Sequence, residues 1–353
     1  MTKNNRTDNR SRAEVLALLA GNRNPRLPCF SGLINVTAPG LESIGLKLCE
    51  VHVDPDMMAR AAATTYRLFG FESAVVPLDM CVEAEVLGAR VDFRLEARHP
   101  ELPRVIAPLV DSPNELEIKA LTDLTKRARV SVVTEAIRIL KADVGKEIVV
   151  GAWVPGPFTL ATQLVDLTNL VMGTQTAAED VGRVLDQLTD MLLEVAVAYH
   201  LAGADFLTVH EMGGSPGFIG PPTFGELVLP RLRRMLQALP APRVLSVCGN
   251  TNRSMALLAE AGADALHVDQ TNDLAQSREV LGPETILFGN IDPVKTLVED
   301  DDPSIRSAVT NAIEARVDAI WPGCDLWPRV PAANMRLMID ESQRSLRCAD
   351  RRR

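Results

Sequence analysis

The segment from Val244 to Cys324 constrains the fold more than any other part of the chain, because one pattern occurs in it four times. The stretches VLSVCGNTN, ALHVDQTND, ILFGNID and AIWPGCD each hold a short apolar run followed by polar residues. Apolar runs of this length are typical of buried parallel strands. The residues that follow the runs and can do chemistry are Cys248, Asp269, Asn290, Asp292 and Cys324. In a barrel of alternating strands and helices, such strand ends meet at the active-site rim.

The rest of the chain continues this alternation of strand and helix. Strands are predicted at 26–34, 73–77, 147–153, 205–209, 243–247, 265–268, 285–288 and 318–321. Eight strands, each followed by helix, predict an α/β fold of the (β/α)8 TIM barrel type. It carries an N-terminal helical extension, because Ser11 can cap a helix that runs to about Leu19.

The length of 353 residues fits one large domain. We expect a single TIM-barrel catalytic domain at 11–342. The polar residues 1–10 are expected to form a disordered N-terminus. The segment 343–353, which ends in SLRCADRRR, is expected to form a frayed, basic C-terminal tail.

The charge and apolar content of the chain exclude several classes of protein. A formal net charge of −9 argues against nucleic-acid binding. No apolar run approaches the roughly 18 to 20 residues needed to cross a bilayer, and the polar first residues lack the core of a secretory signal. We therefore expect a cytoplasmic protein without membrane contact, as a monomer or homodimer. In such a chain, the six cysteines are better suited to be free thiols or metal ligands than disulfides.

Two thiols and a carboxylate at one rim predict a zinc site. Cys248, Cys324 and Asp269 follow different strands of the same barrel, and thiolates and carboxylates are zinc ligands. The alternative for the two cysteines is a pair of buried thiols that pack as small hydrophobic residues.

Further acids follow other strands. Asp79 and Glu83 come directly after strand 73–77, so they could face the mouth of the barrel. The alternative is an exposed first turn of helix, where acids are favoured in any case. Glu211 lies just after strand 205–209, and the Gly- and Pro-rich stretch EMGGSPGFIGPPTF that begins with it predicts a loop over the mouth.

Five stretches carry a resemblance to a known family. They are PLDMCVEAEVLGA at 77–89, GPFT at 156–159, VCGNT at 247–251, GNIDPVKTL at 289–297 and PGCDLWPRVPAANMRLMID at 322–340. Through them the chain resembles the uroporphyrinogen decarboxylase superfamily and, within it, the cobalamin-dependent methyltransferases of the methylcobalamin:coenzyme M type. The VEAEVLG stretch and the late PGC are the most diagnostic pieces.

The resemblance implies a zinc ligand set. The methyltransferase branch binds zinc through a His-x-Cys motif and a distant cysteine, with an acidic ligand on the strand between them. Cys248 stands at the first cysteine, Cys324 at the second and Asp269 at the acidic position. The motif histidine is replaced by Ser246, and a serine hydroxyl is a poor zinc ligand.

Two histidines are candidates for the missing ligand. His210 ends strand 205–209, whereas His267 lies two residues before Asp269 on the same strand face. At ~3.3 Å per residue, His267 would lie about 6 to 7 Å deeper than Asp269, so His210 is the better candidate. The alternative for either histidine is a hydrogen bond inside the barrel.

The resemblance also implies an activity, that of a zinc-dependent methyltransferase of corrinoid one-carbon metabolism (EC 2.1.1 type). Such an enzyme moves a methyl group between a methylcobamide or cob(I)amide co-substrate and a small molecule, for instance a coenzyme M-like thiol or a methoxylated aromatic whose O-demethylation it performs. The chain has no Asp-x-His-x-x-Gly motif of corrinoid-binding proteins. We therefore expect the corrinoid on a separate carrier protein that docks transiently.

The resemblance also implies roles for residues around the mouth of the barrel. The acids and amide expected to contact the substrate, as catalytic residues, are Asp79, Glu83, Glu211 and Asn290. The glycines expected to admit the corrinoid, in a loop that moves during docking, are Gly213, Gly214 and Gly217.

Three other functions stay open. A paralogue without metal could bind only a small molecule or a partner protein, and the same fold could carry a zinc hydrolase. A decarboxylase acting on uroporphyrinogen is disfavoured, because the stretch CFSGLINVTAPG offers no arginine after Arg26 to hold acidic pyrrole side chains.

Overall fold

Seven parallel strands form the central sheet of the computed structural model, which describes residues 8–23, 26–118 and 123–349. They are β1 (Ser73–Val76), β2 (Val149–Pro155), β3 (Phe206–Glu211), β4 (Arg243–Val247), β5 (Ala265–Val268), β6 (Ile286–Ile291) and β7 (Ala319–Pro322). Each strand pairs in parallel with the next one along the chain. The predicted α/β barrel of parallel strands is therefore confirmed, and strands β4 and β5 have the bounds expected from the sequence.

The predicted first strand at 26–34 is wrong as a strand, although this segment lies between β7 and β1. Cys29 makes one isolated parallel bridge with Ile320, and the N–H of Glu72 donates to the carbonyl of Cys29. The N–H of Cys29 donates to the Glu72 carboxylate at 2.8 Å, and that of Ser31 donates to a serine hydroxyl. Side-chain acceptors therefore replace backbone partners on the side of β1, whereas Phe30 and Pro28 bond the backbone of Ile320 in β7.

Helices surround the sheet and fill the connections between strands. The α-helices span Asp8–Leu19, Ala38–Ser43, Pro55–Ala62, Thr64–Phe69, Val82–Val86, Ala128–Asp143, Pro157–Leu164, Leu167–Thr176, Ala178–Leu201, Pro216–Ile219, Pro221–Thr223, Leu229–Ala238, Met255–Ala259, Leu274–Leu281, Asp302–Glu314 and Ala332–Ala349. Short 3-10 turns lie at Leu48–Glu50, Pro113–Glu115, Leu124–Lys126 and Asn252–Ser254, and π-helical turns at Phe224–Val228 and Lys295–Glu299. Among the described residues, none of the helices combines the length and apolar character that crossing a lipid bilayer demands.

The first helix, Asp8–Leu19, covers the amino-terminal ends of the strands. Its buried residues Val15, Leu18 and Leu19 share one apolar cluster with residues that begin strands. Those strand residues are Val149, Phe206, Ala265, Ile286 and Ala319. The extension therefore closes the end of the barrel opposite the carboxyl-terminal rim, which leaves the rim as the accessible end.

Both chain ends are more helical than the sequence suggested. Residues 8–10 belong to the first helix and residues 343–349 to the last. Neither helix contains glycine or proline, so nothing in either stretch interrupts the backbone hydrogen bonds. The remaining terminal residues, 1–7 and 350–353, lie outside the described residues.

Two irregular segments lie at the rim. In the first, at 91–118, regular strand pairing is limited to Val91–Asp92 with Arg104–Val105. The second, at 211–224, is not a plain loop, because it contains the short helices Pro216–Ile219 and Pro221–Thr223. Proline stands first in both helices, where its missing N–H has no helical partner to lose.

Candidate metal centre and active site

Two cysteines and one histidine converge at the carboxyl-terminal rim. Cys248 directly follows β4, Cys324 lies two residues beyond β7, and His210 is the next-to-last residue of β3. The Sγ atoms of Cys248 and Cys324 are 3.0 Å apart, and Nε2 of His210 lies 3.7 Å from the first and 4.0 Å from the second. These three are the one group of metal-ligating side chains found among the described residues.

The donor atoms of this group fit a zinc ion. The hydrogen bond with Cys324, together with burial, raises the pKa of the Cys248 thiol, because a thiolate there lies against a second sulfur. A divalent cation between the sulfurs removes that penalty, and two thiolates with one imidazole leave a fourth position open. With bonds of ~2.3 Å, two sulfurs on one tetrahedral zinc are about 3.8 Å apart, so the thiols need to separate by less than about 1 Å.

His210 is the first residue in a chain of hydrogen bonds. Nδ1 of His210 lies 2.9 Å from the hydroxyl of Ser246, and this hydroxyl lies 2.8 Å from Nδ1 of His267. Nε2 of His267 in turn lies 2.8 Å from the carbonyl oxygen of Pro322. Burial lowers the pKa of His210 to about 3 and that of His267 to about 4, so both rings are neutral at pH 7.

Asp269, a predicted ligand, lies outside this group of three side chains. Its Oδ1 accepts hydrogen bonds from the backbone N–H and the hydroxyl of Thr271, both at 2.7 Å. An aspartate two residues before a turn N–H commonly closes such a local turn, and here this local bond competes with ligation. Asn290 also supports the backbone, since its Nδ2 donates to the carbonyls of Asp269 and Asn272.

Glu211 and the glycines after it form a tightly packed corner. The Glu211 carboxylate is buried and accepts hydrogen bonds from the Thr159 hydroxyl and from the N–H of Phe158 and of Gly214. A Cβ on Gly214 would lie 2.6 Å from Cβ of Phe158. Glycine is therefore required there for packing, and Glu211 holds the loop to the helix that follows β2.

Gly213 and Gly217 have different surroundings. Gly213 lines a cavity at the rim, and its N–H donates to the Thr159 hydroxyl at 3.0 Å. A Cβ on Gly217 would lie 2.8 Å from the carbonyl oxygen of Asn250, so only glycine allows this backbone approach. The predicted loop is thus packed against the residues that follow Cys248.

Asp79 and Glu83 are fully buried, so they do not form an exposed helix turn. The Asp79 carboxylate pairs with Arg129 and with His52, whose Nδ1 lies 2.8 Å away. Although burial alone would raise it, these two partners hold the pKa of Asp79 well below its usual range. Burial raises the pKa of Glu83 to about 8, and its Oε1 lies 3.4 Å from the hydroxyl of Tyr199.

A cavity of about 610 Å³ reaches Cys248 from the rim. Most of its wall is apolar, including Met80, Val105, Ile106, Leu167, Met212 and Phe218, whereas its polar side chains include Arg104 and Gln163. Ile106, Leu167 and Phe218 are among the large hydrophobic residues that the surface leaves exposed. An apolar pocket that ends at a candidate metal ligand is typical of a small-molecule site.

Several of these residues were not evident from the sequence. Arg129 and His52, the partners of Asp79, lie in a helix and a turn without any recognisable motif. The cavity wall at 103–108 comes from the first of the two irregular segments at the rim, whose sequence carries no periodic signal. Ser246 did stand out, because it occupies the position of the expected histidine, but its hydrogen-bond partners depend on strand register.

Comparison with known proteins identifies the family. The model of the family described as Uroporphyrinogen decarboxylase (URO-D) matches residues 10–345. This chain belongs to the URO-D family. The chain is 27% identical over 330 residues to the methylcobamide:CoM methyltransferase MtaA of Methanosarcina barkeri. The alignment covers 93% of this chain and 96% of the relative.

Two further similar proteins are also methyltransferases by name. A methylated-thiol–coenzyme M methyltransferase of Methanosarcina mazei is 25% identical, with 92% of this chain and 87% of the relative covered. The solved structure of a methyltransferase from Methanosarcina mazei superposes with a TM-score of 0.88 at 24% identity, covering 95% and 98% of the two chains. The predicted resemblance to the methyltransferase branch of the URO-D family is confirmed, and the structural match supports the barrel fold.

Proposed function

We propose that this URO-D family protein is a zinc-dependent methyltransferase that moves a methyl group between a corrinoid and a small molecule. One observation carries the proposal: two thiols and a neutral imidazole lie within 4.8 Å of one another at the end of a cavity open to the rim. The names of its relatives, which are methyltransferases acting on methylcobamide and coenzyme M, agree with that chemistry.

Cys248, Cys324 and His210 would hold the zinc ion. Zinc bound there supplies positive charge, which stabilises a substrate thiolate or polarises the heteroatom of a methyl donor. The protein residues keep that charge effective. The neutral ring of His210 adds no negative charge to the site, and the barrel core around it excludes water.

In the thiol reaction, the substrate sulfur forms a bond with the methyl carbon of the methylcobamide. The cobalt–carbon bond breaks, its electron pair stays on cobalt as cob(I)amide, and the thiol proton leaves to solvent. In the reverse sense, cob(I)amide takes the methyl of an aryl methyl ether, the carbon–oxygen bond breaks and the phenolate oxygen takes up a proton. In both cases the substrate heteroatom has to reach the rim beside Cys248, where the cavity ends.

The apolar cavity wall favours a methoxylated aromatic as a second candidate substrate. Its side chains are mainly apolar, and among the described residues Arg104 is the one cationic residue in its lining. The Arg104 side chain is 69% exposed and lies 3.7 Å from Asp92, so its charge is partly balanced. A sulfonated thiol would find little compensation there, whereas a methoxylated aromatic would bury apolar surface.

The other rim residues have supporting roles in this proposal. Glu211 and Asn290 fix the loops after β3 and β5. Asp79 accepts from the N–H of Cys81 and so fixes the turn that brings Met80 to the cavity, while Glu83 holds the helix Val82–Val86 to Tyr199. Gly213, Gly214 and Gly217 give the rim a close-packed surface on which a corrinoid carrier protein could dock transiently. We expect the protein to act as a monomer or homodimer.

A corrinoid assay tests the function. The purified protein would be mixed with methylcobalamin and a panel of thiols, and then with cob(I)alamin and methoxyarenes or methylamines, while the corrinoid spectrum is followed. We expect one pair to interconvert methylcobalamin and cob(I)alamin. The Cys248→Ala variant should lose this activity, and Cys49→Ala, which changes a cysteine outside the site, should keep it.

The result also separates the other functions. No spectral change with any pair, combined with absence of bound zinc, would favour a metal-free binding protein. Zinc binding with hydrolysis of a model ester and no methyl transfer would favour a hydrolase. Carbon dioxide release from uroporphyrinogen would favour a decarboxylase.

A further inference from the structure

Three residues on neighbouring strands form one row across the barrel. His210 on β3 is the register partner of Ser246 on β4, and Ser246 is the register partner of His267 on β5. All three are buried, with exposures of 0%, 0% and 1%. Because register partners on parallel strands point to the same side of the sheet, their side chains meet inside the barrel and form the hydrogen-bonded chain described above.

The far end of this chain fixes the direction of every hydrogen bond in it. A carbonyl oxygen only accepts, so Nε2 of His267 donates its proton to Pro322 at 2.8 Å. The neutral His267 ring then has a lone pair on Nδ1, to which the Ser246 hydroxyl donates at 2.8 Å. The Ser246 oxygen is left to accept from Nδ1–H of His210 at 2.9 Å.

The consequence lies at the other nitrogen of His210. A neutral imidazole with its proton on Nδ1 has a lone pair on Nε2, and this is the atom that lies 3.7 and 4.0 Å from the two sulfurs. The opposite tautomer would place a proton between the ring and the thiols, where it blocks ligation.

We propose that Ser246 and His267 are positioning residues that hold His210 in the Nδ1–H tautomer, so that the imidazole ligand of this site comes from β3 while a serine occupies the motif position on β4. The inference rests on the proposed zinc site for its purpose. The tautomer itself is a property of the metal-free protein, however, and it can be measured without zinc.

The first test measures the tautomer directly. The full chain, labelled with ¹⁵N in its five histidine rings and freed of metal, would be examined by long-range ¹H–¹⁵N correlation, with His210→Ala and His267→Ala spectra to assign the two rings. We expect His210 protonated on Nδ1 and His267 on Nε2. In Ser246→Ala, His210 should lose its preference for Nδ1–H. An Nε2–H or doubly protonated His210 in the wild type would overturn the inference.

The second test measures zinc affinity by competition with a chromophoric chelator. Loss of an outer-shell partner typically weakens metal binding about 10–100-fold, so we expect that decrease in Ser246→Ala and recovery of most of the affinity in Ser246→Thr, which keeps the hydroxyl. Thr208→Val is the matched control. It removes another buried hydroxyl from the same strand as His210, and this hydroxyl has no hydrogen-bond partner among the described residues.

The outcomes separate the two proposals. Wild-type protein without measurable zinc binding would overturn the proposed function, and the NMR experiment would still decide the tautomer. If the wild type binds zinc and Ser246→Ala binds it equally well with the same His210 tautomer, the inference is overturned and the proposed function stands.

Discussion

The hydroxyl of Ser246 lies 2.9 Å from Nδ1 of His210, its register partner on the neighbouring strand. The serine that stands where a histidine ligand was expected is therefore in contact with the histidine that can replace it. The imidazole of His210 approaches the sulfurs of Cys248 and Cys324 from β3, the strand next to β4. This relationship leads to the first two predictions.

Replacing His210 should weaken zinc binding more than replacing His267. His210→Ala removes a candidate ligand, whereas His267→Ala acts only through Ser246, with a loss of about 10–100-fold. Zinc affinity would be measured by chelator competition for both variants. The reverse order would mean that the imidazole ligand comes from β5.

Moving the imidazole back to β4 should restore zinc binding. In the double variant His210→Ala with Ser246→His, the space left by the first ring is adjacent to the second, because the two positions are register partners. We expect tighter zinc binding than in His210→Ala alone. Equal binding by the single and double variants would argue against His210 as the counterpart of the motif histidine.

Zinc should stabilise the fold, because it binds the folded site and not the unfolded chain. At a free zinc concentration 1,000 times the dissociation constant, the gain in the free energy of unfolding is about 4 kcal/mol. Thermal unfolding with zinc and with excess chelator would measure this difference. Cys324→Ala should abolish it and Cys49→Ala should preserve it; a zinc effect that survives in Cys324→Ala would place the ion elsewhere.

Arg129 should be essential for stability. It is 3% exposed and pairs with the fully buried Asp79, so Arg129→Met removes the cationic guanidinium and leaves that carboxylate with His52 and the N–H of Cys81. We expect a loss of about 3–5 kcal/mol in the free energy of unfolding, measured by urea denaturation. Arg138→Met on the same helix, where the arginine pairs with Glu135 at the surface, should cost less than about 1 kcal/mol. Similar losses in both variants would contradict this assignment.

The buried carboxyl of Glu83 should make stability fall as the pH rises. Its pKa is about 8 in the folded protein, against an ordinary value of 4.5. Between these values the folded protein holds a proton that the unfolded chain has released, so the free energy of unfolding falls by up to about 1.4 kcal/mol per pH unit. Glu83→Gln, which cannot ionise, should lose this dependence and be more stable than wild type at pH 8. Denaturation curves at pH 5 and pH 8 would test it, and equal pH dependence of both proteins would refute it.

The residue pattern alone predicted the barrel and placed two cysteines, far apart in the sequence, at the same rim. The apolar runs at 243–247 and 265–268 predict β4 and β5 with the bounds they have. Because parallel strands deliver their carboxyl ends to one rim, Cys248 and Cys324 were expected at the same rim although 76 residues separate them. The resemblance of short motifs to the URO-D superfamily pointed to the family that the comparison then identified.

Tertiary structure alone decided which other side chains join those sulfurs. Asp269 follows its strand in the expected place, yet a local bond to Thr271 holds its carboxylate. The sequence around Cys29 predicts a strand, but side-chain acceptors take the N–H groups of Cys29 and Ser31 that would pair with β1. The row of His210, Ser246 and His267 depends on the register of three strands, and one residue of slip would turn each side chain to the other face. Register and hydrogen-bond competition depend on contacts between distant segments, so no stretch of sequence determines them by itself.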